Sequence, residues 1–245
     1  MRAFNLYTQS QKNYKNPKTH ATAVEQINEA IRMFPKNGAF LYQKALCLSV
    51  SEEDDDEALS YLDKALSSVP NMGEAWYLKA EILLRNKKPE LALRCADTAL
   101  KYNAAWYMVR LHCLQRMERF PEALKETTAL LRKYPSDPLL LSLHVDLARQ
   151  QKQWQVVIDD VTKLLKISNS NEGSYQFHLK ARAAAYIATH QDDKALLDLE
   201  AAAKRSSLER EAHTDMLKIY KRKKDLKNIA KEEAYIKKMD EDLLP

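Results

Sequence analysis

Glycine and proline are scarce in this chain, which has only 3 glycines and 8 prolines among 245 residues. A sheet-rich protein needs many such turn residues, whereas abundant alanine and leucine suit helices. The composition therefore predicts an all-α protein. It also disfavours a glycine-rich backbone loop that would cradle a nucleotide phosphate.

Long apolar runs and paired cysteines are also missing. No run reaches the ~18 apolar residues that a membrane span requires, and the N-terminus has no apolar core of a secretory signal. We therefore expect no membrane span. The cysteines Cys47, Cys95 and Cys113 are odd in number and widely spaced, which fits a reducing compartment, the cytoplasm. A net charge of +5 is too modest to demand nucleic acid or a membrane surface.

Motifs for catalysis are absent from the sequence. There is no G-x-S-x-G, no phosphate-binding glycine loop and no H-E-x-x-H. His112 and Cys113, with Cys95, form the one sulfur–nitrogen grouping that helix spacing brings near, and a structural zinc site needs four ligands with paired spacing. We therefore expect ordinary packing at these positions, no catalytic residue, no metal and no cofactor.

The stretch from Gly73 to Ala104 carries the clearest pattern in the chain. Two apolar-periodic segments flank a polar break at Arg85–Pro89, which is too short for anything but a tight turn between antiparallel helices. The pattern is made by Trp76, Lys79-Ala80 and Leu83, then Ala92, Ala96 and Ala99. It resembles one tetratricopeptide repeat, a helix pair of about 34 residues, with Ala104 where the closing proline would stand.

A small residue recurs where the second helix of each pair begins. We call these positions the marker residues; they are Ala23, Ala58, Ala92, Ala123, Val157, Ala195 and Ile229. Their intervals are 35, 34, 31, 34, 38 and 34, and Pro35, Pro70 and Pro135 follow three of them by twelve residues. The spacing predicts one domain, 1–245, of about seven antiparallel helix pairs. The predicted repeats are 4–37, 38–71, 72–103, 104–136, 137–170, 173–207 and 208–240.

The longest interval contains the polar stretch 168–173. We interpret it as an extended turn or hinge between two repeats rather than a domain boundary. Gly38, Gly73 and Gly173 all fall at predicted boundaries between repeats, where a turn residue is useful.

The resemblance implies a right-handed superhelical solenoid whose first helices line a concave groove. The predicted groove residues are Phe40, Lys44, Tyr77, Leu78, Glu81, Tyr107, Met108, Leu111, Leu141 and Val145. Tyr77, Tyr107 and Met108 would form a stripe of the residue types that adaptable recognition surfaces favour. The alternative is that these side chains pack against neighbouring helices, as apolar positions on a helix usually do.

Chaperone-binding members of the family clamp a partner's C-terminal carboxylate with lysine, asparagine and arginine. The matching positions here are Thr8, Lys12, Lys44, Glu74 and Leu78, which do not form that set. A co-chaperone of that type is therefore disfavoured.

Two charged stretches remain. The acidic run Glu52–Glu57 is interpreted as a favourable helix start, with docking of a basic partner as the alternative. The basic stretch near the C-terminus is a candidate contact for an acidic protein, RNA or anionic lipid, or else a solvated surface. Its candidate residues are Lys218, Lys221, Arg222, Lys223 and Lys224.

These observations favour a non-enzymatic scaffold or adaptor that binds a peptide or helix of a protein partner in its groove. RNA binding is the first alternative, although no basic or base-reading pair recurs in each repeat. An accessory repeat domain of a larger enzyme or a secretion or assembly complex is the second. The sequence does not define the oligomeric state or the partner.

Overall fold

The computed structural model describes residues 1–168, 173–204 and 209–241. Within these ranges the chain forms α-helices joined by turns and two short 3-10 segments, with no strand. The helices are α1 (Arg2–Asn13), α2 (His20–Met33), α3 (Gly38–Leu48), α4 (Asp55–Ser68), α5 (Gly73–Arg85), α6 (Pro89–Leu100), α7 (Tyr107–Arg116), α8 (Phe120–Lys133), α9 (Pro138–Gln150), α10 (Trp154–Ile167), α11 (Gly173–Ala188), α12 (Asp192–Ala203), α13 (Glu209–Lys223) and α14 (Leu226–Glu241).

The helices fall into two compact units, Met1–Arg119 and Phe120–Pro245. In the first unit, the pairs α1/α2, α3/α4 and α5/α6 pack in sequence, and α7 packs on α6. In the second, α8 packs on α9, followed by the pairs α9/α10, α11/α12 and α13/α14. The predicted all-helical fold is confirmed, and six of the predicted pairs pack as expected: α1/α2, α3/α4, α5/α6, α9/α10, α11/α12 and α13/α14. The bounds of the seven predicted repeats stay a prediction. That they form one continuous domain stays a prediction, and residues 169–172 and 205–208, at two predicted repeat boundaries, lie outside the described residues.

The alanine marker residues permit close helix packing, whereas the last marker residue, Ile229, is only partly buried. Ala23, Ala58, Ala92, Ala123 and Ala195 are all fully buried. A methyl group at this position lets two helix backbones approach, and larger side chains fill the space on either side. Leu62, Ile82 and other aliphatic side chains complete the core between successive helices.

Most turns between the two helices of a pair end in the same way. Five non-glycine residues, Lys87, Glu118, Lys152, His190 and Lys224, adopt φ between 54° and 57°. The next residue then donates its N–H back into the preceding helix, as Lys88 does to the Leu83 carbonyl at 2.9 Å. This is the Schellman arrangement, in which glycine is the usual residue at the left-handed position.

Glycine instead occupies positions where space is limiting. A Cβ built on Gly73 would lie 2.6 Å from the Cβ of Tyr102 and 3.0 Å from Trp106 Cζ3. A Cβ on Gly38 would lie 2.7 Å from Val69 Cγ2. Both residues begin a first helix, and neither has positive φ. These two glycines therefore serve close packing between repeats rather than an unusual backbone conformation.

A row of basic residues links successive helices. Lys79, Arg110, His144 and Arg182 occupy equivalent positions on first helices, and we call them the basic row. Each reaches back to the preceding second helix: Lys79 to Asp63, and Arg110 Nε to Asp97 Oδ1 at 2.7 Å. His144 and Arg182 contact Thr128 and Thr162 in the same manner, at 2.9 and 3.1 Å. These polar contacts fix the stagger between neighbouring pairs inside each unit.

Candidate partner-binding surface

Three tyrosines occupy equivalent positions on the first helices of the first unit. Tyr7 lies on α1, Tyr42 on α3 and Tyr77 on α5, at intervals of 35 residues. We call them the tyrosine row. Each side chain is half-buried, so one part of the ring packs against the helices and another part reaches solvent.

Packing brings these side chains close together. The Tyr7 ring lies against Phe40 of α3, with 5.3 Å between the ring centroids, and Tyr42 packs on the core cluster to which Leu78 of α5 belongs. Helices α1, α3 and α5 thus carry their tyrosines side by side.

The surroundings of Tyr42 also affect its titration. Burial raises the pKa of the Tyr42 phenol, and the charges of Glu74 and Glu81 and the phenols of Tyr14 and Tyr7 raise it further.

Hydrogen bonds within each helix orient the row. The hydroxyl of Tyr77 donates to Glu81 Oε1 at 2.7 Å, one turn further along α5. On α1, Gln11 Nε2 donates to the Tyr7 hydroxyl at 2.7 Å, again four residues on. These contacts orient the phenol groups of Tyr7 and Tyr77 along their own helices.

The row continues toward α7 through an indole ring. The centroids of Tyr77 and Trp106 are 5.1 Å apart, with 33° between the ring planes. Burial is the main cause that raises the pKa of the Tyr77 phenol, and the hydrogen bond to Glu81 raises this pKa further. Partial burial raises the pKa of Glu81 as well, against the lowering effects of Tyr77 and Arg85. The surface thus combines aromatic rings with a partly desolvated carboxylate.

The residues predicted for the groove divide into two groups. Six are buried: Phe40, Lys44, Leu78, Leu111, Leu141 and Val145. These six pack between helices, as the alternative interpretation expected. The other four, Tyr77, Glu81, Tyr107 and Met108, retain solvent contact. Of these four, Tyr77 and Glu81 belong to the tyrosine row and its surroundings, and a role for Tyr107 and Met108 stays a prediction.

Phe40 and Lys44 have specific roles inside the structure. The Phe40 ring lies 5.3 Å from the rings of both Phe4 and Tyr7 and is fully buried beneath them. The Lys44 ammonium stands 5.8 Å from the Tyr61 ring centroid, toward α4. Both side chains support the surface from below.

The sequence prediction missed Tyr7 and Tyr42. It took Phe40 as the aromatic groove position on α3. Phe40 is two residues before Tyr42, so the two side chains point about 200° apart around the helix. The indication was present in the sequence, because Tyr7, Tyr42 and Tyr77 repeat at a constant interval of 35.

The basic stretch of α13 is largely balanced by carboxylates. All five of its candidate residues are exposed, and four of them form ion pairs. Lys218 pairs with Asp215 and Lys221 with Glu233, each at 2.8 Å, Lys223 with Asp193 at 2.5 Å, and Arg222 with Asp192. Lys224 has positive φ at the turn. Because two of the acids lie on α12, about 30 residues away, the sequence run looks more basic than the folded surface.

The acidic run has a structural explanation. Ser51 Oγ accepts the Glu53 N–H at 3.3 Å where the short 3-10 segment Glu52–Asp54 begins. Asp55 is buried and accepts from Arg85 Nε at 3.0 Å. Arg85 also donates to the Ser49 carbonyl, so the run helps to join α5 to the turn before α4.

The structure also bears on disulfides, metal sites and membrane-spanning helices. The three cysteines are buried free thiols. Across the described ranges, no three His, Cys, Asp or Glu side chains group as a metal site would require. In those same ranges, no helix combines the length and apolar character needed to cross a bilayer.

Comparison with known proteins identifies the repeat. Residues 50–106 match the family model described as tetratricopeptide repeat. The chain is 32% identical over 97 residues to the TPR repeat-containing protein PA4667 of Pseudomonas aeruginosa. That match covers 38% of this chain and only 16% of the relative.

Solved structures extend the likeness in fold. The C-terminal part of a TPR repeat-containing protein from Cytophaga hutchinsonii has a TM-score of 0.80 at 16% identity, covering 94% of this chain and 93% of that chain. YrrB, described as a TPR protein with an unusual peptide-binding site, has a TM-score of 0.63 at 15% identity, covering 82% and 99%. The solenoid of helix pairs predicted from sequence is thereby confirmed as a fold, and residues 50–106 carry the match to the tetratricopeptide repeat.

Proposed function

We propose that this protein is a non-enzymatic scaffold or adaptor that binds a peptide or helix of a protein partner across the tyrosine row. The observation that carries the proposal is the row itself, with Trp106 at its end. Tyrosine and tryptophan supply large contact areas at low entropic cost, because each side chain has only two rotatable bonds. Equivalent side chains on successive helices suit a ligand that runs along the row.

The neighbouring fold supports this choice. YrrB is described as having a peptide-binding site, and it has the same fold as this chain. In tetratricopeptide arrays, the first helices offer such a surface, and here they carry the tyrosine row. The three unpaired, buried thiols fit a cytoplasmic location for the interaction.

Affinity purification with identification of the bound proteins tests the proposal. Replacing Tyr42 and Tyr77 by alanine should weaken binding of the recovered partner by about 2 kcal/mol or more, since aromatic anchors usually dominate an interface. The matched control is Tyr134→Ala, an exposed tyrosine in the second unit. Circular dichroism must show helix in all variants.

Two results would overturn the proposal. One is a folded double variant that binds the partner as tightly as the unaltered protein. The other is tight, sequence-selective binding of RNA at physiological salt. Purely electrostatic contacts would be too weak at that salt concentration to give such binding. The second result would favour the RNA-binding alternative.

A further inference from the structure

The carboxylates beside the tyrosine row lack cationic partners of their own. Glu74 and Glu81 flank Tyr77 on α5, three residues before it and four after it, so all three share one helix face. Both acids reach solvent. Neither forms an ion pair within the part of the chain that the structure describes.

The basic residues of the same two first helices are engaged elsewhere. Lys44 on α3 is buried over the Tyr61 ring, and Lys79 on α5 pairs with Asp63. Arg85 pairs with Asp55 and donates to the Ser49 carbonyl, although its charge also influences Glu81. All three cations contact α4 or the turn before it, and the Lys79 ammonium also lies 5.7 Å from the centroid of the Trp76 ring on its own helix.

The acidic charge is concentrated toward the α5 end of the row. Residues 51–100 contain eleven acidic and six basic side chains, whereas residues 1–50 contain two acidic and seven basic ones. At the α5 end, a charge balance of this sign favours the approach of a basic ligand and opposes an acidic one. The surface also lacks the lysine and asparagine set with which related repeats hold a carboxylate.

We infer that the segment bound on the tyrosine row is a basic peptide, whose lysine or arginine side chains lie over the Tyr42 and Tyr77 rings and pair with Glu74 and Glu81. This inference rests on the proposed function. A cation over an aromatic face is attracted by the ring quadrupole, and the long methylene stem packs on the same ring.

Lys15 already shows this mode inside the molecule. Its ammonium stands 5.6 Å from the centroid of the Tyr14 ring, and Tyr14 is one of the phenols that act on Tyr42. A partner's cation would repeat this contact along the row, with a carboxylate beside it.

Fluorescence anisotropy with two labelled peptides tests the inference. The probes are (Lys-Ala)5 and (Glu-Ala)5 at physiological salt, added to the full chain. We expect saturable binding of the lysine peptide only. Replacing Glu74 and Glu81 by glutamine should weaken that binding at least tenfold. The control, Glu90→Gln with Glu118→Gln, makes the same change in net charge at exposed positions outside the row and should change affinity less than twofold.

The aromatic part is tested with Tyr42→Phe and Tyr42→Leu. The phenylalanine variant keeps the ring face and should bind the lysine peptide normally, whereas the leucine variant should bind several-fold more weakly. Equal losses in the two glutamine variants would indicate non-specific attraction and overturn the inference. So would a preference for the glutamate peptide, or equal affinities of Tyr42→Phe and Tyr42→Leu.

The natural partner separates this inference from the proposed function. If Tyr42→Ala with Tyr77→Ala abolishes partner binding but the Glu74 and Glu81 variant binds normally, the scaffold proposal stands and the basic ligand is wrong. If neither change affects partner binding, both proposals fail. If both changes weaken it, both are supported.

Discussion

The guanidinium of Arg182 donates two hydrogen bonds to the carboxylate of Asp198, from Nε and from Nη2, both at 2.8 Å. His144 and Asp160 stand in the equivalent places of the preceding repeat, with Nδ1 2.5 Å from Oδ2. Both carboxylates lie three residues after a marker residue. The same relationship between first and second helix is thus built with two different basic side chains, and Asp160 and Asp198 are both buried.

Replacing Arg182 by alanine should destabilise the second unit by about 3 kcal/mol, because the buried Asp198 would lose its counter-ion. Urea unfolding followed by circular dichroism measures the effect. The matched control is Arg210→Ala, which removes a similar pair with Asp240 whose side chains are both half exposed. The urea midpoint of Arg210→Ala should differ little from that of the unaltered protein, because exposed ion pairs contribute little to stability. Equal shifts for the two variants would contradict this account.

Replacing Asp160 by asparagine should lower stability at pH 7 and have a smaller effect at pH 3. Burial favours a higher pKa for Asp160, but hydrogen bonds from His144 and Lys163 outweigh it, and the pKa is lowered from its usual 3.8. Because the folded pKa lies below the unfolded one, the stabilisation is complete above about pH 4 to 5 and is lost as the pH falls through the folded value. Thermal unfolding at pH 7, 5 and 3 should show the two proteins converging. A constant difference at all three values would exclude Asp160 as the cause.

Lys87→Gly should stabilise the protein by about 0.5–1 kcal/mol. The left-handed conformation costs a residue with a Cβ about 1–2 kcal/mol, and glycine avoids this cost. The greater conformational entropy of glycine in the unfolded chain offsets about 0.5–1 kcal/mol of the gain. Lys87→Ala is the control, since alanine keeps the Cβ and should give no comparable gain. Denaturation midpoints that rank alanine above glycine would contradict the argument.

Gly73→Ala should destabilise the first unit by about 1–3 kcal/mol through overpacking. The added methyl group meets Tyr102 and Trp106, and Trp106 stacks on Tyr77 at the end of the tyrosine row. The variant should therefore also weaken partner binding, which anisotropy would measure on the folded fraction.

Gly38→Ala provides the comparison for this change. Its nearest contact is a methyl group of Val69, so Val69→Ala should relieve part of the strain in the double variant. Binding on the tyrosine row should be closer to normal than in Gly73→Ala. Unchanged stability in both alanine variants would show that the repeats pack less closely than the structure indicates.

The helix pairs could be predicted from sequence because their packing is local and periodic. Ala58 and Ala92 must be small wherever two helices cross, so the sequence records the crossing directly. The surface was harder to predict, since Phe40 and Tyr42 are both aromatic and only the angle around α3 decides which of them is covered. Periodicity alone assigned the wrong one to the solvent side.

The pairing of charged side chains was harder still to predict from the sequence. Nothing near Arg222 in the sequence reveals that Asp192, thirty residues earlier, lies beside it. The turn at Lys87 was also hidden, because a left-handed residue is usually recognised by glycine and the chain places lysine there. Long-range pairing and backbone conformation therefore had to come from the structure.

The basic row implies that this array is modular. Each residue of the row contacts the side chain that lies five residues after the marker residue of the preceding repeat. His144 and Arg182 also contact the side chain that lies three residues after the marker residue of their own repeat. Excision of residues 145–182 would therefore bring Thr128, His144 and Asp198 into the arrangement now formed by Thr128, His144 and Asp160. Unequal crossover between equivalent codons could thus shorten or lengthen the gene by one repeat and preserve the polar contacts at the junction.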